Sequence, residues 1–187
     1  DASVFTASGE ENWMGWLDAV SASLQELPAL RTLAKSIQQD GIRDVVVMGM
    51  GGSSLCPDVL ARTFESGAGF PRLRVLDSTV PAQIQHLTES IDLASCLFIV
   101  PSKSGTTIEP DSLQRRLLAD VEAALPGTPA ASRFIAITDP GSPLEQEANR
   151  SGFRAILHGT PSIGGRFSAL SVFGLLPATL AGLVYGQ

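Results

Sequence analysis

Three short stretches of this 187-residue chain concentrate residue types that can hold an anion or a developing negative charge. The first is Gly49-Met50-Gly51-Gly52-Ser53-Ser54, between an apolar run and a helical pattern. Missing side chains there let a ligand reach the backbone, and helix N–H groups can face an anion. No lysine follows the glycines, which excludes a Walker A loop. The second is Ser102-Lys103-Ser104-Gly105-Thr106-Thr107, in which four of six residues carry hydroxyls. Gly105 permits a positive φ, Lys103 supplies a cation, and the loop opens a helix, so donors and a helix dipole can surround a phosphate together. The third is Ile163-Gly164-Gly165-Arg166-Phe167-Ser168, where two glycines bring backbone close and Arg166 offers a fixed cation to an oxyanion.

Each stretch also has a plain structural reading. The glycine loop can be a tight strand-to-helix turn, and the hydroxyl loop an N-cap cluster in which Thr106 or Thr107 caps the helix containing Glu109 and Pro110. The third can be a turn with a surface arginine. The glycine loop also partly matches a dinucleotide fingerprint, with Gly49 and Gly51 in register, Ser54 in place of the third glycine, and Asp77 at the end of the next strand. Glu109, Asp139 and Glu145 read as helix-start or turn residues, and His86 and His158 as ordinary polar or capping positions. Cys56 and Cys96 have no CxxC spacing and read as free buried thiols in a reducing, cytoplasmic compartment. Two histidines and two cysteines without ligand spacing give no metal site.

The elements that must position these loops follow from hydrophobic periodicity. Trp13, Trp16, Leu17, Val20, Leu24, Leu27, Leu30, Leu33 and Ile37 recur at spacings of three and four, an amphipathic helix that Pro28 is expected to break in two. Asp40-Gly41 stops it, and Val45-Val46-Val47-Met48 is an apolar run typical of a strand buried on both faces. From there strands and helices alternate. A helix runs through Phe64, a strand covers Leu73 to Leu76, and Pro81 opens a helix to Ser90. Then come strand Cys96 to Val100, a helix through Leu125, strand Phe134 to Thr138, helix Pro143 to Asn149, strand Phe153 to Leu157 and an apolar helix after Arg166. This rhythm predicts a doubly wound α/β fold, a five-stranded parallel sheet flanked by helices, with residues 1–40 as a helical segment ahead of a domain at 41–187. In such a sheet the ligand sits outside the carboxyl ends of the strands, where the three loops fall.

Composition narrows the classes further. With 44% hydrophobic and 17% charged residues the chain is a packed globular domain. A net charge of -6 without a Lys/Arg cluster excludes a nucleic-acid partner. The uncharged run from Phe167 to Gly186 is punctuated by Gly174, Pro177 and Gly182 and reads as a buried helix, with no membrane span. No secretory signal opens the chain, and its start at Asp1 is expected of a piece cut from a longer protein.

In order and spacing, GMGGSS at 49–54, SKSGTT at 102–107 and IGGRFSALSVFGLLP at 163–177 resemble glucose-6-phosphate isomerases. VLDSTVPAQ, ITDPGSPLE and the last apolar helix are most similar to the isomerase part of bacterial fused transaldolase/glucose-6-phosphate isomerases. The resemblance implies a sugar isomerase (SIS) domain of flavodoxin-like order, and no cofactor. It implies sugar-phosphate binding by Ser102, Ser104 and Thr107, with backbone groups from Lys103 and Thr106 and with Ser53, Gly51 and Gly52 lining the site. Gly165 and Arg166 match the pair whose arginine stabilises a cis-enediolate. Pro110 departs from the pattern, standing where the family often has a threonine donor. The glutamate base, the ring-opening histidine and a late lysine of the family have no match in this chain.

The expectation is therefore the first SIS domain of an isomerase of glucose 6-phosphate and fructose 6-phosphate, binding sugar phosphate weakly and turning over little by itself. Its expected partners are a second SIS domain of the same chain and a second copy in a homodimer. Two rivals remain, a stand-alone SIS module that senses sugar phosphate and an NAD-dependent oxidoreductase. The apolar stretch at Leu183-Val184-Tyr185 is expected to leave an exposed face, which argues against the stand-alone module.

Overall fold

The computed structural model of the protein describes residues 2–5 and 8–184. Two short 3-10 turns, Glu10–Trp13 and Gly15–Asp18, lead into helix α1 (Ala19–Gln39). The sheet elements alternate as β1 (Asp44–Val47), α2 (Gly52–Thr63), β2 (Arg72–Val75), α3 (Pro81–Ser90) and β3 (Cys96–Pro101). They continue as α4 (Ile108–Ala124), β4 (Phe134–Thr138), α5 (Pro143–Ser151), β5 (Ala155–His158) and α6 (Val172–Leu180). All strand pairs are parallel and the order is β2-β1-β3-β4-β5, so the chain reverses direction across the sheet between β1 and β3. The predicted five-stranded α/β sheet is the one observed.

Side chains alternate across the strands and build two apolar layers. Val45, Val47, Leu97, Ile99, Ile135 and Ile137 face α1 and α6, where Leu30, Ala34, Ile37, Leu176 and Leu180 complete one core. Val46, Met48, Phe98, Val100, Phe134 and Ala136 face α3, α4 and α5 through Leu87, Leu113, Leu117, Val121, Leu144 and Ala148. Phe98 and Phe134 stack at 5.0 Å between centroids inside the second layer, a contact worth about 0.5–1.5 kcal/mol beyond its buried area.

Several local expectations are corrected. Pro28 does not break the helix, since α1 is continuous through it. Pro28 lies on the exposed side of the helix, while Ala19 and Ser23 before it and Leu30, Ala34 and Ile37 after it are anchored to the same body. β2 begins one residue earlier than read, and β5 begins at Ala155, with Phe153 ahead of it packed against Phe134 at 5.5 Å between centroids. The segment after Arg166 starts as a 3-10 turn, Gly165–Leu170, and α6 begins only after it. Gly174 allows this fold-back, because a Cβ there would lie 2.0 Å from the Ala169 carbonyl oxygen.

The apolar end of the chain is also covered more fully than expected. α6 is buried beneath α1, and Leu183 packs against the same core; Tyr185 lies outside the described residues. Among the exposed large apolar side chains, Trp13, Trp16, Leu17, Val20 and Leu24 group on the N-terminal segment, beside Phe167 and Leu170. Among the described residues no helix is long and apolar enough to cross a membrane.

Candidate functional site

The exits of β1 and β3 meet at the reversal of strand order, and glycines let them touch. A Cβ on Gly49 would lie 2.8 Å from Pro101 Cγ at the end of β3. Gly51, with φ +56°, caps the start of α2 in a conformation that side chains disfavour. Gly52 was expected to make room for a ligand, but the room is taken by protein: a Cβ there would lie 2.3 Å from the Gly165 carbonyl oxygen. The glycine loop is therefore pressed against the segment carrying Arg166. Ser168 Oγ donates to both carbonyls of this contact, Gly165 at 2.7 Å and Gly52 at 3.3 Å.

The first N–H groups of α2 are largely engaged within the turn, with Ser53 N donating to Met50 O and both Ser54 N and Leu55 N to Gly51 O. What the glycine loop adds at the site is the half-buried Ser53, which lines a cavity of about 10 Å³ together with Lys103, Gly165 and Ser168.

The hydroxyl loop is ordered by its own side chains. Gly105 takes φ +68°, and a Cβ on it would lie 2.7 Å from the Leu144 amide nitrogen at the start of α5. Its N–H donates to Ser102 O at 3.1 Å. Ser102, buried, donates from Oγ to Thr107 Oγ1 at 3.3 Å. Ser104 and Thr106, both exposed, share a hydroxyl hydrogen bond of 2.9 Å. Thr107 occupies the N-cap of α4 but its side chain makes no capping bond. The hydroxyls thus form two pairs, one turned outward and one behind it, and helix capping does not account for them. Pro110, third residue of α4, contributes no N–H to the helix end.

Lys103 departs from its expected role as a cation facing an anion. Its Nζ donates to Asp139 Oδ2 at 2.6 Å, Thr160 O at 3.1 Å and Pro161 O at 3.1 Å, which engages all three ammonium N–H bonds within the fold. Asp139, read from sequence as a turn residue, is thereby an ion-pair partner; only the structure reveals this, because the two residues are distant in sequence.

Gly165 and Arg166 are exposed, and among the described residues Arg166 has no hydrogen-bond or ion-pair partner. Arg166 and Lys103 border an open cleft of about 730 Å³ whose other walls include Trp13, Trp16, Gly52 and Phe167. Trp16 and Phe167 stack at 5.5 Å. Met14 forms an antiparallel bridge with Ile163, and Gly15 N donates to Ser162 O at 3.1 Å. The N-terminal turns are thus a wall of the site, which periodicity did not reveal; the two tryptophans at polar helix flanks were the available signal.

The remaining titratable residues are placed as follows. Glu145 accepts from Gly141 N and pairs with His158 Nε2 at 2.7 Å, and these two contacts hold its carboxyl below the usual range. Glu109 is exposed in the first turn of α4, His86 is exposed on α3, and Asp77 is exposed beyond β2. Both cysteines are free; Cys96 is buried as read, Cys56 only half-buried, and burial pushes both thiols upward. Among the described residues no three His, Cys, Asp or Glu side chains cluster as metal ligands.

Comparison with known proteins places this arrangement. The phosphoglucose isomerase family model matches residues 11–185. The glucose-6-phosphate isomerase of Synechococcus sp. is 35% identical over 144 residues, covering 75% of this chain and 26% of that protein. A hypothetical protein from Thermus thermophilus superposes with TM-score 0.80 at 31% identity, over 96% of this chain and 41% of that one. The crystal structure of a glucose-6-phosphate isomerase from Chlamydia trachomatis gives TM-score 0.75 at 25% identity, over 95% and 36% of the two chains. The chain spans 26–39% of the length of the curated relatives it matches. With the strand order, the three loops at the reversal point and the family match in agreement, this chain belongs to the phosphoglucose isomerase family.

Proposed function

We propose that this chain is the sugar-phosphate-binding part of an aldose–ketose isomerase that interconverts glucose 6-phosphate and fructose 6-phosphate. The observation that carries the reading is the packing of the Arg166 segment onto the glycine loop, through Gly165 and Gly52, beside the hydroxyl loop. The phosphate is held by the hydroxyls of Ser104, Thr107, Ser102 and Ser53 and by backbone groups of Lys103 and Thr106, with Gly51 and Gly52 lining the site.

The reaction lifts the C2 proton and returns one to C1, with O1 and O2 exchanging a proton. Nothing is oxidised or reduced overall, so the chemistry calls for no cofactor. Charge accumulates on the enediolate oxygens, and the exposed, unengaged guanidinium of Arg166, next to Gly165, is the group in this chain suited to stabilise it. The base must reach both carbons. Here Asp139 is paired with Lys103 and Glu145 with His158, so we assign the base to a second SIS domain of the same polypeptide. That domain, and a second copy in a homodimer, are the proposed partners, in the cytoplasm.

Thermal unfolding of the chain with fructose 6-phosphate, inorganic phosphate and NAD tests the reading, because a ligand that binds only the folded state raises the melting temperature with occupancy. The expected result is stabilisation by the sugar phosphate beyond that by phosphate, none by NAD, and no turnover. Stabilisation by NAD alone, or isomerisation well above a purification control, would overturn it.

A further inference from the structure

Lys103 stands between two hydroxyl residues of the loop, yet its side chain leaves that loop and ties together three separate segments. Its ammonium reaches Asp139 beyond β4 and the Thr160 and Pro161 carbonyls beyond β5. The Thr160 carbonyl also accepts from Ile163 N at 3.0 Å, closing the turn that leads to Gly164, Gly165 and Arg166. The same residue is held through its backbone, because Lys103 O accepts from Asp139 N at 3.0 Å and Thr138 Oγ1 at 3.3 Å.

Asp139 is fitted to this clamp and to little else. One carboxylate oxygen, Oδ2, binds the ammonium, while Oδ1 is buried with no hydrogen-bond partner. A carboxylate placed for its own solvation would not leave an oxygen in that state, so the ion pair is what fixes it there. Gly159 passes directly over it: a Cβ at that position would lie 2.8 Å from Asp139 Oδ1 and 2.8 Å from Phe173 Cε2. Both partners are mostly shielded, with side chains 23% and 22% exposed, so the pair is weakly screened by solvent. Without the carboxylate, the ammonium would keep only two neutral carbonyl partners.

We infer that Asp139 is a positioning residue: by holding the Lys103 ammonium on the Thr160 and Pro161 carbonyls it sets the Arg166 segment against the hydroxyl loop. Asp139 itself does not touch the sugar phosphate. The inference deepens the reading above and rests on it for the identity of the ligand.

The test uses this chain with Asp139→Asn, Lys103→Met and the double substitution. Amide exchange is followed without ligand, and affinities for fructose 6-phosphate and inorganic phosphate are measured separately. Asp139→Asn is expected to speed exchange across residues 159–168 by about tenfold while β1 to β4 keep their protection. It should weaken fructose 6-phosphate by about tenfold and leave inorganic phosphate unchanged or tighter, because the freed ammonium can turn toward it. The double variant should lose no more than Asp139→Asn, as expected of residues that act as one unit.

Unchanged exchange at 159–168, or a uniform rise across the whole sheet, would overturn the inference. So would inorganic phosphate weakened as much as fructose 6-phosphate in Asp139→Asn, which would make the carboxylate matter to the anion site itself and not to the seating of the Arg166 segment. Should Asp139→Asn not fold, Lys103→Met answers the same exchange question. If the wild-type chain ignores fructose 6-phosphate, the functional reading fails while the exchange arm still decides the clamp.

Discussion

The carbonyl oxygen of Gly165 occupies the space where a Cβ on Gly52 would stand, 2.3 Å from that position. Two loops far apart in sequence meet there through bare backbone, and the guanidinium next to Gly165 takes its place from that contact. Gly52→Ala is expected to force the segments apart, costing about 1–3 kcal/mol as overpacking does, and to weaken fructose 6-phosphate binding with it. Urea unfolding midpoints and a binding isotherm check both parts; an alanine variant with wild-type affinity would show that this contact does not set the site.

The outer and inner hydroxyl pairs predict separable effects of ligand binding and stability. Ser104 is exposed, so Ser104→Ala should change the unliganded protein by less than about 0.5 kcal/mol, as at surface positions. The double variant Ser104→Ala/Thr107→Ala also removes the acceptor of the buried Ser102 hydroxyl and should cost about 0.5–1.5 kcal/mol. It should abolish the rise in melting temperature produced by fructose 6-phosphate. A retained ligand shift would move the phosphate away from this loop.

Capping offers a direct contrast between two helix starts. Ser142 Oγ accepts from Glu145 N at 3.1 Å and shares a 2.7 Å bond with Thr138 Oγ1 in a buried setting. Ser142→Ala is therefore expected to lower stability by about 1–2 kcal/mol, the upper part of the N-cap range, against about 0.5–1 kcal/mol for Thr107→Ala, which gives up the long bond from Ser102 but no cap. Paired denaturation curves of the two single variants decide whether the order holds.

Acid should weaken the fold partly through Glu145. Its carboxyl is held below the ordinary value of 4.5 by the Gly141 N–H and by His158. A group whose folded pKa is lowered contributes stability that is present above its unfolded value and is lost as pH falls through the folded one. The stability gap between wild type and Glu145→Gln should thus be full above pH 4.5 and close below it. Unfolding free energies across the acid range would contradict this if the gap were independent of pH.

Pro28 is exposed in the interior of an unbroken α1. Alanine there restores an N–H to the helix, and although it loosens the unfolded chain, the net gain should be about 1–2 kcal/mol. The expected rise in melting temperature is roughly 2–8 °C for a chain of this size. A fall would mean that Pro28 itself is needed to seat both halves of the helix on the core.

The sheet was legible because its central strands are nearly pure apolar runs, Val45 to Val47, Cys96 to Val100 and Phe134 to Thr138, bounded by glycine, proline and polar turns. The three loops were legible because glycine and hydroxyl residues crowd where strands end. Long-range partners were not. Nothing local to Lys103 announces Asp139, and nothing local to Gly52 announces Gly165, since each pairing exists only once the β4 and β5 loops are brought round. Pro28 was misread for a related reason, as a local penalty outweighed by the tertiary anchoring on either side of it.

The cover that α1 gives to α6 also dictates an order of assembly. The face of the sheet under α3, α4 and α5 is completed by helices that immediately follow their strands, whereas the opposite face needs the first helix and the last one together. During synthesis α1 is made well before α6, so the contact between them forms only after the intervening strands have been made. One half of the core can close from local pairings, while the other needs the long-range docking of α6 against α1.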